Sequence, residues 1–73
     1  MDIRIGQELE FVHDVNVEGR AIARGTRVRV GHIHSEIMAP KLDLVLLNTG
    51  KIETIVVDHH VAGLNCRVVT EGA

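Results

Sequence analysis

Five histidines, one cysteine and a cluster of four arginines are the side chains of this sequence with the most chemistry in them. His32 and His34 stand two residues apart, a spacing that puts both imidazoles on one face of a strand. His59 and His60, with Cys66 a little further on, could add nitrogen or sulfur ligands if the last turn folds over that strand, making a zinc, nickel or copper site. The separation of the two histidine pairs matches no compact ligand motif. The preferred reading is therefore solvated histidines on a sheet and a histidine pair at a turn, with no cofactor.

Arg20, Arg24, Arg27 and Arg29 form the main basic concentration, on which a phosphate, a nucleic-acid backbone or a small oxyanion could dock. The competing reading is a solvated face balanced by Glu8, Glu10 and Glu18. A formal net charge of −2 opposes long-range attraction to a polyanion, which favours the balanced face and argues against nucleic acid as a partner. Cys66 with a histidine would be a conceivable nucleophile and base, but a lone cysteine opening a closing strand reads as a small buried apolar residue. Asp14, Asp43 and Asp58 are single carboxylates at turns and strand edges, where capping accounts for them. The chain is read as non-enzymatic.

The elements that must position these groups are strands. Eleven valines and seven isoleucines outnumber six leucines and five alanines, and β-branched side chains suit a pleated strand better than a helix. Leu9 and Phe11 alternate with Glu8 and Glu10, giving a first strand over 7–13. Residues 14–25 form a long excursion that folds back as an irregular hairpin, with Gly19 and Gly25 at corners that need positive φ. Val28 and Val30 alternate with Arg27 and Arg29 in a second strand over 26–34, with Gly31 as a bend or bulge.

Pro40 places 35–41 in a connection. Residues 42–48 are apolar on both faces, with Leu42, Leu44 and Leu46 on one side and Val45 and Leu47 beside Asp43 on the other. Asn48-Thr49-Gly50-Lys51 reads as a tight turn into an antiparallel strand over 51–57. Asp58 would cap a single 3₁₀ turn that Gly63 ends, and a last strand covers 66–70. Five strands, a long loop after the first and one helical turn before the last lay out an all-β, five-stranded SH3-like barrel in a single domain over 1–73, with an OB-like barrel as the alternative. Phe11 is the sole aromatic residue, which argues against proline-rich grooves, methyl-lysine cages and base-stacking surfaces.

One segment also carries a family likeness. Asp14-Val15-Asn16-Val17-Glu18-Gly19, followed by Arg24-Gly25-Thr26-Arg27-Val28-Arg29, resembles the carboxy-terminal domain of PhnA-type proteins, named from an alkylphosphonate-utilisation gene neighbourhood. The likeness extends over residues 6–70, and its specific motif occupies 14–29. It implies an SH3-like barrel. Full-length members join that barrel to a zinc ribbon whose paired cysteines have no counterpart here, so the metal site does not carry over. No catalytic residues are assigned to the barrel, so the likeness implies a fold and not phosphonate chemistry.

A single cysteine permits no intrachain disulfide, and no segment reads as a leader or a membrane span, so a cytoplasmic location is expected. At 73 residues the chain buries a smaller fraction of its surface than a larger domain does. One sheet face can be covered from within, which leaves Val45 and Leu47, or the Leu42, Leu44 and Leu46 row, to meet another molecule, with Val56 beside the outward row on the paired strand. The expectation is an interaction module that self-associates, a dimer first, with a different protein partner as the other occupant of the same strand.

Overall fold

The computed structural model describes residues 2–35, 39–47 and 49–69. Among them, seven strands and one helix run in the order β1 (Glu8–Phe11), β2 (Val15–Val17), β3 (Arg20–Ile22), β4 (Arg27–His34), β5 (Lys41–Leu46), β6 (Glu53–Asp58), α1 (His59–Asn65) and β7 (Cys66–Val68). The domain is mostly β. Its main sheet is antiparallel and five-stranded in the order β6-β5-β4-β1-β7, and β2 pairs with β3 in a separate two-stranded sheet. The ends expected at Asn48 and Thr70, and the middle of the 35–41 connection, lie outside the described residues.

Alternation decides which face of each strand is buried. Leu9 and Phe11 of β1, Val28 and Val30 of β4, Leu42, Leu44 and Leu46 of β5, and Ile55 and Val57 of β6 all enter one core. Ile22 of the small hairpin is buried in the same cluster, with Val15 and Val17 packed against it, so β2 and β3 cover the inner side of the large sheet.

The 14–25 excursion folds back as a hairpin, as expected, but a regular one, with β2 and β3 paired in register from Val15 opposite Ile22 to Val17 opposite Arg20. Glu18 and Gly19 both hold positive φ, at 52° and 81°, the signature of the type I′ turn whose twist matches paired strands. Asn16 Oδ1 accepts a hydrogen bond from the Gly19 N–H at 2.9 Å and closes that turn. Gly25 also has positive φ, at 91°, as its place at a corner requires.

Gly31 is the bulge. The pairing of β4 with β5 shifts register between Val30 and His32, so the inward parity changes from Val28 and Val30 before it to Ile33 after it. A regular strand would have turned His32 and His34 toward the core. The bulge instead leaves His32 exposed and His34 partly exposed.

The element before the last strand departs from expectation. It is a seven-residue α-helix, not one 3₁₀ turn, and it runs through Gly63 to Asn65. Ala62 is fully buried on its inner side, and Asn65 Nδ2 donates to the Val61 carbonyl at 2.9 Å. Packing of that face against the core outweighs the local cost of a glycine. Asp58 occupies the N-cap position but makes no side-chain capping bond; the His59 N–H donates instead to the Pro40 carbonyl at 2.8 Å.

Candidate functional site

The outer face of the main sheet holds most of the side chains singled out by sequence. Register fixes their neighbours: Arg29 stands opposite Val45, His32 opposite Asp43 and His34 opposite Lys41. On the other side of β5, Val45 stands opposite Thr54 and Asp43 opposite Val56. The pairing ends at Leu46 opposite Glu53, with Leu47 and Ile52 just beyond it.

Two of the four arginines are held by carboxylates of the chain itself. Arg27 Nη1 lies 3.1 Å from Glu8 Oε2 and its Nε lies 3.8 Å from Glu10 Oε2, while Arg67 on β7 reaches Glu10 Oε1 at 2.6 Å. These contacts run across β4, β1 and β7 as one ladder of alternating charge. Arg20 lies elsewhere, on β3, and pairs with Glu53 of β6 at 2.8 Å, tying the hairpin to the sheet edge. Arg24 sits in the turn before β4, where its N–H donates to Asp14 Oδ1 at 2.7 Å. Arg29 is exposed on the outer face. Glu18 is at the hairpin tip and takes no part in balancing this face.

The His32 and His34 rings meet edge-on with centroids 4.6 Å apart, and His34 Nε2 lies 3.0 Å from Asp43 Oδ1. His59 and His60 belong to α1, and Cys66 turns into the core from β7, opposite Phe11. Among the described residues, no group of three or more His, Cys, Asp or Glu side chains is placed to hold a metal ion. Burial pushes the Cys66 thiol up from 9.0 to about 11, so at neutral pH it is a protonated, packed side chain and a poor nucleophile.

No family model matches this chain, and no curated protein or solved structure is significantly similar to it. The chemistry of its surface is the ground on which a function can be argued.

That surface is most unusual on the β5–β6 hairpin. Of the five large apolar side chains standing exposed among the described residues, Leu47, Ile52 and Val56 all belong to it. Val45, half-buried, lies between them. Ile52 is 94% exposed, and the sequence reading placed it in the strand after the turn without counting it in the outward row. Its signal was parity, since it falls in step with the outward Thr54 and Val56 and out of step with the buried Ile55 and Val57. No helix among the described residues is long and apolar enough to cross a membrane.

Proposed function

We propose that this chain is a non-enzymatic SH3-like β-barrel module that works by binding protein, in the first place a second copy of itself. The carrying observation is the apolar group on the outer side of the β5–β6 hairpin, in which Leu47, Ile52 and Val56 are exposed and Val45 is half-buried. Fully burying such side chains is worth roughly 1.5–3 kcal/mol each, and the described chain covers them only in part.

A barrel reading draws support from connectivity. The strand order β6-β5-β4-β1-β7, a hairpin inserted after the first strand and a short helix before the last are the layout expected of an SH3-like domain. The PhnA-type likeness is then a likeness of fold, with Gly19 and Gly25 meeting the same turn geometry.

A second copy is favoured as occupant because the apolar group adjoins a free strand edge. β6 ends the sheet with six residues and no proline or lysine, and its charged side chains, Glu53 and Asp58, stand only at its two ends. Two such edges related by a two-fold axis bury the same patch on both copies. Sedimentation velocity over a dilution series tests this: a dimer that dissociates on dilution supports the reading, and a monomer at every concentration contradicts it.

A further inference from the structure

A crevice of about 190 Å³ opens where the tip of the β2–β3 hairpin approaches the end of β6 and the start of α1. Four valines supply the apolar part of its lining: Val17 from the hairpin, Val56 and Val57 from β6, and Val61 from the helix. Asn16, Glu18 and Asp58 supply the polar part.

These two carboxylates stand apart from the other acids. Asp2, Glu8, Glu10, Asp43 and Glu53 each have a cationic or histidine side chain within 4 Å, and Asp14 accepts a backbone N–H. Among the described residues, Glu18 and Asp58 alone of the acidic side chains have no hydrogen-bond or ion-pair partner. Lys41 stands opposite Asp58 in register without forming an ion pair. Both unpartnered carboxylates line the same crevice.

We propose that this crevice is a docking slot for a lysine or arginine side chain carried on an extended segment of a partner protein. The aliphatic stem of such a side chain covers the valines while its charged end reaches the carboxylates, the division of labour that long basic side chains are suited to. An extended carrier fits because β2 pairs with β3 alone and has one side without a strand partner, on which backbone N–H and C=O groups can pair with an incoming strand while the β6 edge is left to the second copy. Val56 borders both this slot and the self-association face, but the slot does not require the chain to be a dimer.

The test uses two capped hexapeptides, one alternating valine with lysine and one alternating valine with glutamate, titrated into the labelled full chain and followed by amide chemical shifts. Saturable shifts confined to Val17, Glu18, Val57, Asp58 and Val61 with the lysine peptide alone are expected. The double variant Glu18→Asn, Asp58→Asn should fold as the parent, because asparagine accepts positive φ more readily than glutamate, and should bind at least tenfold more weakly. The proposal is overturned by no saturable shift, by equal shifts with both peptides, or by undiminished binding to the double variant. It is also overturned if the slot proves filled by another copy, seen as a solution mass that falls in the double variant without peptide.

Discussion

The outer face of the main sheet divides into halves that treat solvent differently. On β7, β1 and β4 the outward side chains are Arg67, Glu10, Glu8 and Arg27, joined by contacts of 2.6–3.8 Å. On β5, β6 and the residues that join them, Val45, Leu47, Ile52 and Val56 stand together beside Asp43 and Thr54, with Lys41 and Asp58 at the far end, and three of the four apolar side chains are among the most exposed large apolar residues described. The charged half satisfies itself, since each carboxylate finds a guanidinium on the next strand. The apolar half has no internal remedy, because the core on the opposite face is already filled. Two halves of one sheet thus separate structural residues from those that call for a partner.

The sharpest way to test that division is to compare adjacent residues of β5. Leu44→Ala removes a fully buried side chain and is expected to cost about 2–5 kcal/mol in chemical denaturation, whereas Val45→Ala, one residue on, should cost the isolated subunit less than about 1 kcal/mol. Equal costs would show that the outer side of β5 is structural.

Cys66 anchors the far end of the charged half, on β7. Its folded-state pKa is raised from 9.0 to about 11, so the folded chain holds a proton that the unfolded chain releases first. The resulting stability is complete below pH 9, declines as pH rises toward 11 and then levels off, a loss of roughly 2–3 kcal/mol. Denaturation curves from pH 8 upward should show that decline, and Cys66→Ala should remove this component of it. A decline of the same size in the variant would assign it to other groups.

Gly25 joins the hairpin to β4. Gly25→Val is expected to cost about 1 kcal/mol or more from its positive φ alone, because an added Cβ would meet nothing within 4 Å. Gly31→Ala, where no positive φ is involved and the nearest atom is a Val45 methyl at 3.4 Å, should cost less. The reverse order would mean that crowding at the bulge, not turn geometry, governs this edge.

The smallest effect belongs to the ladder itself. Arg27 is partly exposed, and Arg27→Gln should lower stability by less than about 1 kcal/mol, with the difference shrinking in salt. A larger, salt-insensitive loss would give the charged half a packing role beyond ion pairing.

Much of this arrangement was legible in the sequence. Period-two alternation located β1 and β4, the tight turn at 48–51 located β5 and β6 on either side of it, and all five main-sheet strands fell within a few residues of their places. Alternation put Leu44 and Val45 on opposite sides of β5 but left open which side meets the core, because that strand is apolar on both faces. The helix over His59–Asn65 was underestimated, since its length depends on Ala62 meeting the core and not on local propensity. The hairpin strands were missed as strands because three residues are too few for a period to declare itself. The crevice beside Glu18 and Asp58 was invisible for a different reason: it joins residues forty positions apart, and its significance lies in which carboxylates lack a partner, a property of side-chain placement.

The central claim is that the apolar half of the outer face holds two copies together, and light scattering on parent and variant tests it most directly. At tens of micromolar the parent is expected to show twice the mass of one chain. Val45→Lys with Leu47→Lys should show the mass of one chain at unchanged circular dichroism, each charge disfavouring a buried contact by several kcal/mol. A parent of single-chain mass, or a double variant that remains a dimer, would contradict the account.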